Sequence, residues 1–320
     1  MKILITGTAG FIGFHAAQHF LDRGWNVSGV DNFSSYYDVR LKRDREALLR
    51  KNPRYNSFEL DICDHEKLQT VFAKEKPEVV LHLAAQPGVR YSISHPFEYE
   101  RSNVGGVLSV LECCRHAEKM PKLVFASSSS VYGGNTKMPF EEDDRLDTPV
   151  SLYAATKRAG ELMAYTYSRL YKMQAIGLRF FTVYGDWYRP DMALSLFADA
   201  MLHDRPLKVF NHGEMKRDFT YVDDIVDGIV RVVDAANLPR CDVFNIGNHR
   251  SERLMDVIDT LAGALGVVPK LEMLPMQPGD VPATYASIDK LRAAVGYEPK
   301  TTIADGIPVF ARWYRAYHRL

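Results

Sequence analysis

The stretch Thr6-Gly7-Thr8-Ala9-Gly10-Phe11-Ile12-Gly13 decides how this 320-residue chain is read. The apolar run Lys2-Ile3-Leu4-Ile5 precedes it and a helical pattern through about Arg23 follows it. Strand, glycine loop and helix thus stand in the order that sets a pyrophosphate on a helix N-terminus. Gly7 permits the tight turn, Gly10 lets the backbone approach the phosphates with Phe11 and Ile12 behind it, and Gly13 lets the helix pack closely on the strand. The next apolar strand, Asn26 to Val30, ends at Asp31, 18 residues after Gly13. That is close to the roughly twenty-residue offset at which a carboxylate receives the adenosine ribose hydroxyls. An acid there repels a 2′-phosphate, which points to NAD over NADP.

Outward from this unit the alternation continues. A polar segment, Ser34 to Asn52, reads as loop and helix, and Ser57 to Leu60 as a strand ending at Asp61-Ile62. A carboxylate and an apolar side chain there could flank an adenine ring; alternatively Asp61 caps the helix beginning near Asp64. Val79 to Leu83 is a continuous apolar strand, as in the middle of a parallel sheet, and runs into Ala84-Ala85-Gln86-Pro87-Gly88-Val89-Arg90. Small residues at that strand tip leave room for a cofactor. Residues 96–118 read as one long helix carrying Asn103, and Leu123 to Ala126 as a buried strand opening into Ser127-Ser128-Ser129-Ser130-Val131-Tyr132-Gly133. A helix with Tyr153 and Lys157 follows, then a strand from Ala175 to Phe180. Strands alternating with helices specify an α/β fold with a doubly wound parallel sheet.

From about Thr182 the pattern loosens. Tyr184-Gly185-Asp186-Trp187-Tyr188-Arg189-Pro190 reads as an irregular loop, before a helix near 192–203 and a short strand near 207–210. The charged run Glu214 to Asp218 leads through Phe219-Thr220-Tyr221-Val222 into a helix; Val243 to Ile246 is a strand, and 252–266 and 302–319 are helical. The expected division is a dinucleotide-binding domain over 1–184, to which 217–246 returns, and a smaller substrate-binding domain from 185–216 and 247–320.

Forty basic and 40 acidic residues give a formal net charge of zero, which argues against a polyanion, and so against nucleic acid, as the main partner. The four cysteines, Cys63, Cys113, Cys114 and Cys241, lack metal-type spacing, so no metal is expected and a reducing cytoplasm fits best. No apolar run approaches the eighteen or so residues of a membrane span, and the N-terminus lacks the order of a signal peptide.

Tyr153 and Lys157, four residues apart, share one helical face. A free tyrosine has a pKa of about 10, so roughly one in a thousand is phenolate at neutral pH, and a neighbouring ammonium raises that fraction. Ser128 lies 25 residues earlier, across one β–α step. Such a trio can take a proton from a sugar hydroxyl while hydride leaves for NAD: Tyr153 as base, Lys157 lowering its pKa and holding the cofactor ribose, and a serine on the substrate oxygen. Which of Ser127, Ser128 and Ser129 stands nearest that oxygen is open at this level.

These segments, with Asp31-Asn32 and Arg217-Asp218-Phe219-Thr220-Tyr221-Val222-Asp223-Asp224, resemble an extended short-chain dehydrogenase/reductase of the nucleotide-sugar epimerase group, nearly end to end. Within the group the resemblance is to UDP-glucuronate 4-epimerases, through Ala85 to Ser92, Arg179 to Gly185 and Gln277 to Tyr285. It implies a Rossmann fold, a homodimer pairing through the helices near 96–118 and 151–171, and an NAD held by the glycine loop, Asp31, Asn32, Asp61, Ile62, Leu83, Ala84, Ala85, Gln86, Asn103, Tyr153 and Lys157. It also implies a UDP-sugar whose C4 is oxidised, turned over and reduced again. Arg90, Arg217 and Asp280 would hold its diphosphate and ribose, and Val209-Phe210-Asn211 would border the uracil.

A uronate oxidised at C4 is a β-keto acid that can lose carbon dioxide, so its carboxylate needs a grip, for which Ser128, Ser129, Thr182 and Arg189 are the candidates. Two departures stand out: Tyr188 where such epimerases more often have glycine, and Ser287 where they more often have aspartate. The rivals are a 4,6-dehydratase, disfavoured because Ser128-Ser129-Ser130 offers no acid, a UDP-glucose 4-epimerase, a UDP-glucuronate decarboxylase, and a non-catalytic NAD-binding sensor.

Overall fold

In a computed structural model, which describes residues 1–276 and 281–320, the apolar runs become strands of one parallel sheet. Its first half is built from β1 (Lys2–Thr6), α1 (Phe11–Asp22), β2 (Asn26–Asp31), α2 (Val39–Leu49), β3 (Tyr55–Glu59), α3 (His65–Glu75) and β4 (Val79–His82). Two short turns, α4 (Tyr91–Ser94) and α5 (Pro96–Tyr99), lead through a π-helical segment, Glu100–Gly105, into α6 (Gly106–His116). β5 (Lys122–Ser128), α7 (Leu152–Tyr171) and β6 (Ala175–Phe180) follow. Beyond them come β7 (Thr182–Tyr184), α8 (Ala193–Leu202), β8 (Leu207–Val209), β9 (Lys216–Arg217), β10 (Phe219–Tyr221), α9 (Val222–Asp234) and β11 (Cys241–Ile246). The chain ends with β12 (Glu252–Arg253), α10 (Leu254–Leu265), β13 (Leu271–Met273), α11 (Asp289–Val295) and α12 (Ile303–His318).

Seven strands lie in the order β3-β2-β1-β4-β5-β6-β11, every neighbouring pair parallel. Both faces are covered, which is why these strands are apolar without alternation. On one face Ile3, Ile5 and Val27 pack with Phe14 and Phe20 of α1 and Ile225 and Ile229 of α9. On the other, Leu4, Val30 and Val80 meet Leu68 and Phe72 of α3 and Val110 and Leu111 of α6. The strand order reverses between β1 and β4, and a crevice opens there at the carboxyl ends of the strands. The remaining strands form three two-stranded sheets, β10-β7, β12-β9 and β13-β8, beside that crevice.

The helix expected over 96–118 is interrupted. Its π turn inserts an extra residue into the helical register, and Asn103 is buried there at 2% exposure. Its carboxamide accepts from the Gln86 amide at 2.8 Å and donates to the Gln86 carbonyl at 3.0 Å and to Thr156 Oγ1 at 3.2 Å. Asn103 therefore fixes the loop after β4.

Beneath the strand tips lies a buried ion pair. Arg179 of β6, 1% exposed, places Nε 2.8 Å from Glu161 Oε1 and Nη2 3.1 Å from Oε2, with Glu161 on α7 equally enclosed. Ser127 donates to Glu161 at 2.6 Å, Arg158 adds a contact at 2.7 Å, and Arg179 Nη1 donates to the Tyr132 hydroxyl, which reaches Asn245 of β11. Burial alone would raise the Glu161 pKa, but Arg179, Ser127 and Arg158 together hold it low. Glu161→Leu leaves the Arg179 charge enclosed and unpaired, and should cost about 3–5 kcal/mol in a denaturant titration. A loss under 1 kcal/mol would show that water replaces the carboxylate.

Candidate functional site

The crevice is a cleft of about 1130 Å³. At its floor Gly7, in a left-handed turn at φ +79°, approaches the strand beside it so closely that a Cβ there would stand 2.8 Å from the Ala84 nitrogen. A Cβ on Gly13 would stand 2.0 Å from the Gly7 carbonyl oxygen, so α1 can meet the turn only through a glycine. Helix α1 has no side-chain cap and no acid in its first turn, leaving its positive end open to an anion. Asp31, at the tip of β2, accepts from the amides of Ala9 at 3.0 Å and Phe33 at 2.8 Å. Burial raises its pKa against the opposing charge of Lys42, a cation that also lines the cleft.

The loop after β3 holds Asp61. Helix α3 is capped by Asp64, so the capping alternative for Asp61 is not realised. Its carboxylate accepts from the Cys63 amide at 2.9 Å and from Asn32 at 3.1 Å, and it pairs with Arg101 from the π turn. Burial would raise its pKa, but these contacts together lower it. Ile62, Leu83, Ala84, Ala85 and Gln86 complete this end, and all face the cleft. Taken together, a glycine-built turn, an uncapped helix end and an acid at the second strand tip fit a dinucleotide.

At the middle of the cleft Tyr153 stands at the start of α7, whose N-terminus is capped by Ser151. Burial raises the phenol's pKa, and the Ser128 hydroxyl and the Arg189 charge oppose it. Lys157, one turn on, has its Nζ 6.0 Å from the Tyr153 ring centre and donates to the Ala126 carbonyl at 3.1 Å. Ser128 and Arg189 are the neighbours that lower the phenol's pKa, while the Lys157 ammonium faces the backbone of β5. Burial also pulls the Lys157 pKa down to about 8. Of the serines, Ser127 is committed to Glu161, whereas the Ser128 hydroxyl faces the cleft beside the phenol and lowers its pKa.

Ser129, Thr182, Arg189, Arg90 and Arg217 also face the cleft. Arg90 Cζ stands 5.2 Å from the ring centre of Phe210, so the two span it. Three expected contacts lie elsewhere and a fourth is outside the described residues. Asn103 lies behind Gln86; Val209 is fully buried in the apolar core, since its strand turns that side inward; Asn211 bonds the Glu214 carbonyl at 3.2 Å outside the cleft lining; Asp280 lies outside the described residues. Sequence reasoning did not place Tyr36, Lys42, Tyr91, Arg101 and Asp191 at the site, yet all line the cleft: Tyr36 and Asp191 from loops, Lys42 from α2, Tyr91 from α4 and Arg101 from the π turn.

In the 187–189 loop both Trp187 and Tyr188 turn into the apolar core. Trp187 adopts φ +54° and packs among Phe14, Trp313 and Tyr317, at ring distances of 5.4, 5.8 and 5.4 Å. Arg45 donates to its carbonyl at 2.5 Å. The Tyr188 ring fills the space between Phe11 and Phe310, 5.1 and 5.9 Å away, and turns Arg189 toward the cleft.

A model of the NAD dependent epimerase/dehydratase family matches residues 3–247. The chain belongs to that family. It is 47% identical to Protein CapI of Staphylococcus aureus, over the full length of both chains. It is 42% identical to a probable UDP-glucuronate 4-epimerase of Rhizobium meliloti, over 100% of this chain and 98% of that one. Among solved structures, UDP-glucuronic acid 4-epimerase from Bacillus cereus, in complex with UDP-glucuronic acid and NAD, superposes with a TM-score of 0.92 at 34% identity, covering 99% of this chain and 100% of the other.

Two outcomes follow from buried polar atoms. The Tyr188 hydroxyl has no hydrogen-bond partner among the described residues, so Tyr188→Phe should raise stability by about 1 kcal/mol by chemical denaturation. Lys157, with a folded pKa of about 8 against 10.5 in the open chain, must be buried charged at neutral pH. Its cost is full below pH 8 and fades as pH rises toward 10.5. Lys157→Met should therefore stabilise the cofactor-free protein by about 1–3 kcal/mol at pH 7, and the gain should shrink by pH 10. A gain independent of pH would show that folding does not shift the lysine's pKa.

Proposed function

We propose that this chain is an NAD-dependent UDP-sugar 4-epimerase that interconverts UDP-glucuronate and UDP-galacturonate. The observation that carries this reading is the meeting in one cleft of the Tyr153 phenol with Ser128, Lys157 and Arg189, at the junction of the dinucleotide crevice with the loops beyond β6. Full-length similarity to UDP-glucuronate 4-epimerases supports the substrate.

In this reading residues 1–184, rejoined by 217–246, hold NAD, and 185–216 with 247–320 hold the nucleotide sugar. Gly7, Gly10 and Gly13 with the amides of Phe11 and Ile12 receive the pyrophosphate, Asp31 and Asn32 the ribose hydroxyls, and Asp61 and Ile62 the adenine. NAD, when bound, accepts hydride from the sugar's C4 and returns it to the opposite face. Tyr153 takes the proton from the C4 hydroxyl as the carbinol is oxidised and gives it back on reduction. Ser128 donates to the C4 oxygen and orients the phenol.

The Lys157 ammonium, still charged at neutral pH with a pKa of about 8, holds a ribose hydroxyl once the crevice is filled. Arg90 and Arg217 hold the diphosphate, leaving the sugar free to turn about that link between the two hydride transfers. Ser129, Thr182 and Arg189 bind the carboxylate.

The same reading makes the chain a cytoplasmic homodimer. On the exposed side of α6 and α7, Leu108, Leu162, Tyr165 and Leu170 are 44–64% exposed, an apolar stripe suited to a second copy. Among the described residues no helix is long and apolar enough to cross a membrane.

Incubation of the purified protein with UDP-glucuronate should give UDP-galacturonate as the main product by anion-exchange separation. UDP-xylose or its 4-keto precursor as the main product would sink the epimerase assignment. Tyr153→Phe should lower kcat by about 10²–10⁴-fold while UDP still binds; unchanged turnover would remove Tyr153 as the base, and absence of turnover in the unaltered protein would revive the sensor. Leu162→Glu should shift sedimentation from dimer to monomer; an unchanged value would place the interface elsewhere.

A further inference from the structure

The cleft holds an ion pair of which the sugar-binding reading uses only Arg189 and leaves Asp191 without a task. Asp191 accepts from Arg189 Nε at 3.0 Å and from Nη2 at 2.5 Å, so its carboxylate lies along the side edge of the guanidinium. The Tyr36 hydroxyl donates to Asp191 Oδ2 at 3.1 Å, and the Tyr36 ring centre lies 5.8 Å from Arg189 Cζ. Tyr36 belongs to the loop after β2, 155 positions from Asp191, so two distant segments are tied together at this point. The side chains of the ion pair are 17% and 26% exposed. A fork pairing this far out of water holds its geometry because both hydrogen bonds are charge-assisted.

A guanidinium carries five N–H donors in a rigid plane. Asp191 takes Nε–H and one hydrogen of Nη2. The end edge, formed by Nη1 and the second Nη2 hydrogen, remains, and among the described residues Nη1 makes no hydrogen bond. A ligand carboxylate can take that edge in a second bidentate pairing without displacing Asp191. Because the group is planar, fixing the side edge also fixes the direction in which the end edge points.

We propose that Asp191 and Tyr36 are positioning residues that aim Arg189 at the sugar carboxylate and so keep that carboxylate attached during turnover. The proposal rests on the uronate reading above. Once C4 is a ketone, the C5–C6 bond can break: its electron pair passes into the C4–C5 enolate, carbon dioxide leaves, and C5 takes up a proton to give a 4-keto pentose. This loss requires the C5–C6 bond to stand parallel to the carbonyl π orbitals. A carboxylate gripped from a fixed direction holds the ring in a pucker where that bond stays near the carbonyl plane. A guanidinium free to swing does not.

Asp191 could act in a second way, as a mere counter-charge to Arg189, and the two roles have opposite signatures. Asp191→Asn removes the bidentate side-edge pairing and a negative charge at once; Tyr36→Phe removes one hydrogen bond and keeps the charge and the ring. The measurements are the decarboxylated share of product from UDP-glucuronate, the KM for that substrate and the inhibition constant for UDP. Positioning predicts that the decarboxylated share rises about tenfold in Asp191→Asn and by a smaller factor in Tyr36→Phe, with UDP inhibition changed less than about twofold. A lower KM in Asp191→Asn with an unchanged product ratio would make Asp191 a counter-charge and overturn the proposal. Parallel weakening of UDP and UDP-glucuronate would reduce both residues to a structural role and overturn it as well.

Should Asp191→Asn fail to fold, the neutral Tyr36→Phe exchange carries the same comparison. Failure of the unaltered protein to epimerise UDP-glucuronate sinks the uronate reading, and the proposal with it, before any variant is made.

Discussion

The enclosed pairing of Arg179 with Glu161 is the constraint on which the reaction centre depends. It joins β6, an inner strand of the sheet, to α7, the helix that carries Tyr153 and Lys157, and it takes the first serine of the β5 tip out of contention by accepting its hydrogen bond. Because the charges lie out of water, misplacement of either element costs several kcal/mol. The angle between α7 and the β5 tip is thereby fixed, and with it the closeness of Ser128 to the phenol. Tyr132 and Asn245 extend the same network to β11, so a strand far along the chain also supports the centre.

The electrostatics of the cleft separate two tasks. At the dinucleotide end, partial charges of the α1 N-terminus and the carboxylates of Asp31 and Asp61 face each other across small residues. At the proposed sugar end Arg189, Arg90 and Arg217 line the wall, with the Asp191 carboxylate beside Arg189. Tyr153 sits between, deprived of water, which alone would keep it a neutral phenol. Its readiness to give up a proton depends on neighbours that belong to the sugar end. The base is thus coupled to the group proposed to hold the substrate's carboxylate.

Much of this was legible from the chain because backbone requirements leave marks on sequence. Gly7 and Gly13 must be glycines where a Cβ would strike Ala84 and the Gly7 carbonyl, and unbroken apolar runs announce strands covered on both faces. Asp31 is readable because it ends such a strand. Asn103 was recognisable as special, but its role was hidden: the π turn that swings it onto Gln86 has no periodicity to betray it. Tyr36 and Asp191 were illegible because they lie on loops and meet each other across 155 positions, and Arg101 because the π turn that carries it leaves no mark on periodicity. Val209 was misjudged because a three-residue strand gives too short a pattern to tell its inner side from its outer.

The seat of Trp187 ties the last helix to the sugar loop. Trp313 and Tyr317 of α12 form two walls around the indole, and the Tyr317 hydroxyl reaches back to Asp44 on α2 at 2.7 Å. The final turns of the chain are therefore a brace for the arginine two residues beyond the indole, and not a dispensable tail. A purification handle fused directly after Leu320, or a truncation that trims the last turn, acts on the sugar end of the cleft although no atom is altered there.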